Sequence, residues 1–433
     1  MVTKMTLKLP GAPMGGTNGY IIGFDLGDLY SGISYCMQGG EVETLSLVTG
    51  EENYSIPTVL CKRREANQWF YGTEAIKYAE EKGGILIDHL LSKALDGETI
   101  LVDGTGYEPV SLLTLFLKRT ISLVTSTHVS DRMQAILFTV PVLDARAMEV
   151  LKEAAAALKF RPDQVFFQSH TESFYHYMIR QPENLWIRGA LLVSHEGSEL
   201  RILKMDLNRH TQPIVVFIGE DVFPFSDTPR NNAPDAEYQF AQLDQMLLNI
   251  MRELCSGVLY SSVYLIGEQF AGQWMEATLK YLCSSFRVFL GSNLYSKGAV
   301  YGLQDRLEES GDQTHVFLGN EKLTSNVGIS LLRQGEEVYY ALLDAGVNWF
   351  EAEETFDFYL QDGNTLDLQI SSLIGGGKRV ARITLEDFRP ELTRMRMHLY
   401  LTDVRTLNVQ VEDLGLGAMN PGTHRIWNET IEL

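Results

Sequence analysis

An acidic residue followed closely by a glycine stands at the end of the first apolar run of the chain. Residues 20–23 are apolar, Asp25-Leu-Gly27 follows, and a second apolar run begins at residue 32. A carboxylate at a strand end can orient a hydrated Mg²⁺, and a nearby glycine lets backbone N–H groups approach phosphate oxygens. The pattern therefore indicates either a phosphate-binding turn or an ordinary hairpin turn capped by Asp25.

Other kinds of catalytic or metal site are not evident from residue spacing. The four cysteines are scattered, and none stands in a C-x-x-C pair or beside a histidine at metal-ligand spacing. His89 and His170 could share a metal ion, but no ligand motif accompanies them, so we expect no metal site. No Ser-His-Asp or Cys-His set is legible, although such sites assemble in space. Scattered cysteines favour reduced thiols and a cytoplasmic location.

The composition is typical of a globular protein with an acidic surface. Of 433 residues, 45% are hydrophobic and 21% are charged, and the net charge is −20. An acidic surface repels nucleic acid and anionic lipid, so we expect neither nucleic acid nor a membrane as a partner. Residues 1–19 lack the apolar stretch of a secretory leader and are predicted to form a flexible arm.

Apolar periodicity predicts an α/β organisation over the first part of the chain. Apolar runs predict strands at 20–26 and 135–140, and amphipathic spacing predicts helices at 111–126 and 234–259. A further helix is expected from 85 to 94. A chain of this length should divide into two or three domains.

Toward the end of the sequence the helix signal disappears. Short alternating strands follow one another, separated by glycine-containing turns such as Gly375-Gly-Gly377, and this pattern predicts a β-sandwich. We therefore predict an α/β domain at 20–305, a linker at 306–325 and an all-β domain at 326–433.

Six segments, in order, resemble the DnaK-type (heat-shock 70-kDa) chaperones of the actin-like ATPase superfamily. They are Gly23-Phe-Asp-Leu-Gly27, Asn53-Tyr-Ser-Ile-Pro57 with Tyr71-Gly-Thr-Glu-Ala75, Phe138-Thr-Val-Pro141, Gln168-Ser-His-Thr-Glu-Ser-Phe-Tyr175, Val263-Tyr-Leu-Ile-Gly267 with Lys297-Gly-Ala-Val-Tyr-Gly302, and Val316-Phe-Leu318 with Val327-Gly-Ile329. The resemblance implies a bacterial protein with an actin/DnaK-like two-lobed (ribonuclease H-like) domain and a DnaK-like peptide-binding β-domain. Val316-Phe-Leu318 is expected to be either a docking linker or an edge strand.

The resemblance assigns nucleotide-binding positions and also shows where they depart from the family. The matching positions are Asp25, Gly27, Ser31, Gly197, Ser198, Gly267 and Gly298. The departures are Asp28, His170, Val193, His195, Glu196 and Glu268. His170 replaces the catalytic Glu of the family and Val193 a metal-facing Asp, while Asp28 is expected to repel phosphate.

Further departures concern whole segments of the family pattern. Only about 60 residues separate Leu200 from Val263, less than half the family's length there, so most of the upper second lobe is expected to be missing. We expect no lid helices after the last predicted strand.

These departures predict a non-catalytic DnaK-like protein that binds a protein or peptide, or acts as a scaffold, and needs no cofactor. The alternatives are a weak or unconventional ATP- and Mg²⁺-binding chaperone and an actin-like assembly protein. The candidate peptide groove comprises Leu331, Leu332, Tyr339, Leu360 and Leu366. Alternating apolar residues are also typical of a sandwich core. The oligomeric state is not predicted.

Overall fold

A computed structural model describes most of the chain. The described residues are 19–37, 40–48, 52–127, 132–211, 213–226, 228–229, 235–307, 314–373, 377–388, 392–417 and 420–433. The predicted arm, apart from its last residue, lies outside them, as do Pro234, residues 308–313 of the predicted linker and the first two glycines of the 375–377 turn. Among the described residues no helix has the length and apolar character needed to cross a membrane.

Residues 19–318, here called the first body, alternate strands and helices. In chain order the elements are β1 (Gly19–Leu26), β2 (Tyr30–Met37), β3 (Val42–Thr44), β4 (Ile56–Pro57), β5 (Leu60–Lys62), β6 (Trp69–Tyr71), α1 (Gly72–Lys82), β7 (Ile85–Ile87), α2 (Leu90–Asp96), β8 (Ile100–Val102), β9 (Thr105–Tyr107), α3 (Pro109–Thr127), β10 (Arg132–Val140), α4 (Ala145–Ala157), β11 (Val165–Ser169), α5 (His170–Ile179), β12 (Ala190–Glu196), β13 (Glu199–Asn208), β14 (Ile214–Pro224), α6 (Ala236–Leu254), β15 (Ser262–Ile266), α7 (Glu276–Cys283), β16 (Arg287–Gly291), α8 (Leu294–Leu307) and β17 (His315–Leu318).

Two sheets of the first body share one strand order. In the first sheet the order is β11-β10-β1-β2-β3, where β1 to β3 run antiparallel to one another and β10 and β11 run parallel to β1. The second sheet repeats this with β16-β15-β12-β13-β14, again with an antiparallel meander followed by two parallel strands, and it adds β17 parallel to β14 at its edge. Residues 135–138 of β10 and 263–266 of β15 are continuous apolar runs, because their alternate side chains pack into apolar cores on both faces of each sheet.

Two helices connect the sheets through close backbone contacts. Although α8 follows the second sheet, it packs against β1 and β10 of the first, and it also packs along α5. Glycines permit this approach: a Cβ at Gly23 would lie 2.3 Å from the carbonyl oxygen of Ser296, and a Cβ at Gly298 would lie 2.0 Å from that of Ser173. The family resemblance placed Gly298 in the nucleotide site, whereas here it lies at the contact between the two helices.

An insertion between β4 and β10 forms a small lobe beside the first sheet. It holds the three-stranded sheet β6-β5-β7, the hairpin β8-β9 and helices α1 to α3. The predicted helix over 85–94 is wrong in its first half: Ile85–Ile87 pairs with Leu60–Lys62 of β5, and the helix begins only at Leu90. Pairing with a distant strand overrides local helix propensity here.

The second part of the chain, here called the β-domain, consists of two antiparallel sheets around one core. Its elements are β18 (Ser325–Arg333), β19 (Glu336–Leu343), β20 (Glu353–Leu360), β21 (Thr365–Ser372), β22 (Lys378–Thr384), β23 (Thr393–Asp403), β24 (Thr406–Asp413), β25 (Gly415–Gly417), β26 (Asn420–Pro421) and β27 (Ile426–Glu432). The sheet orders are β19-β18-β21-β22 and β20-β23-β24-β27. Alternate residues of both sheets, such as Leu368 and Met397, fill the space between them.

Candidate functional site

A narrow cleft lies between the two sheets of the first body, at the carboxyl ends of β1, β12 and β15. Such strand ends are the usual ligand-binding edge of α/β sheets. The cleft holds a cavity of about 50 Å³. Its lining residues are Asp25, Leu29, Tyr30, Ser31, Gly32, Ser55, Ser194, His195, Ile266, Gly267, Glu268, Gln269, Ser292 and Tyr295.

Asp25, the acidic residue near the end of β1, forms a hydrogen bond with a histidine. Nε2 of His170 lies 2.8 Å from Oδ1 of Asp25, so the imidazole N–H donates to the carboxylate. The imidazole ring stacks on the ring of Tyr295, with centroids 3.7 Å apart and planes 13° from parallel. His170 is the first residue of α5 and is buried. Oδ1 of Asp25 therefore already accepts a hydrogen bond from within the protein.

The turn after Asp25 is closed by its own backbone. The N–H of Gly27 donates to the carbonyl oxygen of Tyr30 at 3.1 Å, and a Cβ at Gly27 would lie 2.4 Å from that oxygen. The hydroxyl of Ser31, buried in the cleft wall, bonds that of Thr58 at 2.8 Å. Gly27 and Ser31 thus make the contacts of a tight hairpin turn.

The side chain of Asp28, which the sequence analysis expects to repel a phosphate, does not line the cleft and turns toward α2. One oxygen lies 2.5 Å from Nδ1 of His89, and the other accepts from the backbone N–H of Ser92 at 2.9 Å. The carboxylate thereby satisfies an N–H group in the first turn of α2, where negative charge is favourable. His89 is thus bound to Asp28 and His170 to Asp25.

Residues 193–198 include five of the positions that the resemblance singles out, and they lie partly in the apolar core and partly at the cleft. Val193 is buried in the apolar core under the second sheet and does not line the cleft, which corrects the prediction for this position. His195 does line it, with Nε2 bonded to the carbonyl oxygen of Gly197 at 3.1 Å and its ring edge-on to Phe225. Gly197 and Ser198 form the turn between β12 and β13. The side chain of Glu196 is not among those described.

The end of β15 supplies the opposite wall of the cleft. Gly267 has φ of 116°, and a Cβ there would lie 3.0 Å from the carbonyl oxygen of His195, so the two strand ends meet closely. Glu268 accepts a hydrogen bond of 2.5 Å from the hydroxyl of Ser55. Burial raises the pKa of the Tyr30 hydroxyl, and the negative charge of Glu268 raises it further.

The charge and size of the cleft restrict what it can hold. Its lining includes the acidic residues Asp25 and Glu268 and no lysine or arginine. Ligand pockets generally enclose roughly 300–1,000 Å³, several times the volume of this cavity. Within the described ranges no group of three or more His, Cys, Asp or Glu side chains is placed to hold a metal ion.

Comparison with family models assigns both parts of the chain. The model described as "Family of unknown function (DUF5716) C-terminal" matches residues 41–320, well over half of the sequence. The chain belongs to the DUF5716 family. A second model, "Domain of unknown function (DUF8552)", matches residues 322–433. No curated protein matches the sequence.

The DUF8552 part contains the residues predicted to line a peptide groove, but they do not share a surface. Leu360 and Leu366 are buried in the core between the two sheets, and Leu331 packs against that core. Leu332 and Tyr339 are exposed. The alternation of β-strand side chains explains the separation, because neighbouring residues such as Leu331 and Leu332 point to opposite faces.

A buried ion cluster lies where the two family matches meet, and sequence reasoning did not find it. The Glu172 carboxylate of α5 accepts from Nζ of Lys322 at 2.7 Å and from Arg306 of α8 at 3.3 Å. Arg306 also binds Glu351 of the β-domain at 2.7 Å. Burial alone would raise the pKa of Glu172, but Lys322, Arg306 and His176 hold it well below its usual range.

The same region contains a second buried carboxyl group, whose pKa is raised instead of lowered. Glu321, next to Lys322, is buried, and burial followed by the charge of Glu172 raises its pKa. Arg306 and Lys322 stand 134 and 150 residues from Glu172 in the sequence, so local spacing carries no signal for these contacts. Its members join the DUF5716-matched part to the DUF8552-matched part through charge.

Proposed function

We propose that this DUF5716 protein is a divergent relative of the DnaK-type chaperones that binds a protein or peptide and does not hydrolyse ATP. The first body would then be an actin/DnaK-like two-lobed domain. The shared strand order of its two sheets supports this, because such a domain is built from two lobes of related topology. The crossing of α8 back to the first sheet, beside α5, gives further support.

The observation that carries the proposal is the contact of His170 with Asp25 and Tyr295. Mg²⁺ needs free carboxylate oxygens or a carboxylate able to hold its water ligands. Oδ1 of Asp25 is instead bonded to His170, whose ring lies against Tyr295 in the same cleft. A metal ion at Asp25 would have to share this carboxylate with His170.

Electrostatics supports the same conclusion. Phosphoryl transfer requires cationic groups or metal ions that neutralise the developing negative charge. The lining of this cleft includes Asp25 and Glu268 and no lysine or arginine, so a triphosphate would meet repulsion from both walls. If the cleft does not hydrolyse ATP, the function that remains is binding of a protein or peptide by other surfaces, including the β-domain.

Thermal unfolding with and without Mg·ATP and Mg·ADP tests this proposal. A ligand that binds only the folded state raises the melting temperature by mass action, so we expect no shift at concentrations that saturate a typical ATPase. A steady-state ATPase assay on the same protein should give no activity above that of the Asp25→Ala variant. Turnover that Asp25→Ala abolishes would overturn the proposal, and a melting shift alone would favour a nucleotide-binding chaperone.

A further inference from the structure

A shallow pocket on the β-domain lies outside the cleft and has a different chemistry. It encloses about 250 Å³ on the outer face of the sheet β20-β23-β24-β27. Its lining residues are Trp349, Phe350, Ala352, Glu353, His398, Tyr400 and Leu401. Four of these seven are aromatic or imidazole rings. Its volume is below the range of roughly 300–1,000 Å³ that is common for small-molecule sites, so it suits a single side chain better than a cofactor.

Two pairs of rings stand around this pocket. Trp349 and Phe350 meet edge to face, with centroids 5.6 Å apart, and His398 and Tyr400 are stacked with centroids 5.1 Å apart. His398 and Tyr400 are alternate residues of β23 and so lie on one face of the sheet. Aromatic rings around a pocket of this size attract a cation through their negative faces.

Glu353 adds a carboxylate to the same pocket. Nε2 of His398 lies 2.8 Å from Oε1 of Glu353, which orients the acid beside the rings. In the described part of the chain no lysine or arginine forms an ion pair with Glu353, and its side chain is 67% exposed. Beside its bond to His398, the carboxylate therefore has room for a cationic group that no lysine or arginine of the described residues supplies.

A neighbouring carboxylate on the same strand face, that of Asp357, already binds a cationic group of this kind. Asp357, four residues further along β20, binds the guanidinium of its cross-strand partner Arg396 through two hydrogen bonds, of 2.7 and 3.1 Å. At Glu353 the cross-strand partner is Tyr400, whose ring replaces the guanidinium. This face of the sheet thus has a carboxylate at both positions, but a cross-strand arginine only opposite Asp357.

We infer that this pocket binds an arginine side chain of a partner protein. A planar guanidinium can stack on Trp349 or Tyr400 while donating to the oxygen of Glu353 that His398 does not bind, which a lysine ammonium cannot do in the same way. The net charge of −20 favours approach of a basic partner. This inference rests on the proposed binding function and names the chemistry that its partner would present.

The location of the pocket gives its occupant contact with both parts of the molecule. Phe350 packs against the apolar core of the first body, whereas Trp349 packs against that of the β-domain. Glu351, the residue after Phe350, binds Arg306 of the first body. A partner whose arginine enters the pocket would therefore lie at the junction of the two bodies.

Titration of the whole chain with N-acetylarginine methylamide tests this inference, with the neutral citrulline analogue as the matched probe. The indole N–H resonance of Trp349, assigned through the Trp349→Phe variant, reports binding. We expect a saturable shift with arginine, with a dissociation constant on the order of 1–50 mM for an isolated side chain, and none with citrulline. Equal responses to the two probes, or no response to arginine, would overturn the inference.

Two variants separate the pocket from the general acidity of the surface. Glu353→Gln should weaken arginine binding about tenfold, since it removes the charge but keeps the side-chain shape. Asp357→Asn, on the same strand face, should leave binding unchanged because Arg396 already occupies that carboxylate. Equal weakening by both variants would mean that only surface charge attracts the probe. None of these measurements involves a nucleotide. The arginine inference can therefore be overturned even if the protein neither binds nor hydrolyses ATP, as proposed.

Discussion

His170 and Asp25 come from helix and strand positions 145 residues apart and meet at 2.8 Å inside the cleft of the first body. Asp25 is the residue whose position beside Gly27 indicates a phosphate-binding turn in the sequence. The contact also places an imidazole where the resemblance expects a catalytic carboxylate. In the proposed function, this contact occupies an oxygen of the carboxylate that would otherwise be available to orient Mg²⁺.

Replacement of His170 by alanine should destabilise the protein by about 2 kcal/mol, because it removes both a charged hydrogen bond and a ring stack from a buried site. Denaturant unfolding measures this change. The matched control is His89→Ala, which breaks the pair with Asp28. The His89 side chain is 50% exposed, so its loss should cost less than about 1 kcal/mol. Equal costs for the two variants would contradict the assignment of His170 to a packed site.

Substitution of Glu172 by glutamine should cost about 2–4 kcal/mol at neutral pH, because Arg306 and Lys322 would stay buried without their shared carboxylate. The control Glu149→Gln breaks a surface pair with Arg146 and should change stability by less than about 0.5 kcal/mol.

The pH dependence of unfolding offers a separate test of Glu172. Its pKa is lowered in the folded state, so its contribution is complete above the unfolded pKa and is lost as the pH falls. Between about pH 4.5 and pH 3 the native protein should therefore lose stability more steeply than Glu172→Gln. Glu321, with a raised pKa, acts in the opposite sense and at higher pH, where its stabilising contribution is lost as the pH rises. Parallel curves for the two proteins in the acid range would show that Glu172 carries no shift.

Truncation of Phe350 to alanine should loosen the junction of the two bodies at a cost of about 1–3 kcal/mol, because the ring packs against the first body's core. Hydrogen exchange should accelerate at the Leu323 and Trp349 amides, which bond Val347 and Glu321 at 2.9 and 3.0 Å. Tyr359→Ala, which truncates a ring that is 65% exposed, should leave both amides protected. If exchange at these amides did not change in Phe350→Ala, the ring would not hold the junction together.

A methyl group at Gly298 should separate α5 from α8. Its Cβ would lie 2.0 Å from the carbonyl oxygen of Ser173, so Gly298→Ala should destabilise by at least about 2 kcal/mol despite a gain in helix propensity near 1 kcal/mol. Gly291→Ala is the control, since a Cβ at that glycine meets nothing within 4 Å. Urea unfolding compares them, and a Gly298→Ala protein as stable as the control would mean that the helices are not in close contact.

Local patterns predicted individual elements well where they depend on neighbours in sequence. The apolar run at 135–140 forms part of β10, and the amphipathic stretch at 111–126 lies within α3. Val316-Phe-Leu318 lies in β17, an edge strand that pairs with β14. The pattern failed at Ile85, because only the distant strand β5 makes residues 85–87 extended.

The candidate site was less accessible from the sequence for the same reason. The sequence by itself determined that Asp25 ends a strand beside a tight glycine turn, since both features depend on adjacent residues. Only the tertiary structure decided that His170 would bind Asp25, that Asp28 would instead turn to α2, and that Glu172 would meet Lys322 across 150 residues. Side-chain direction and long-range pairing follow from how whole sheets and helices pack, and no local spacing encodes them.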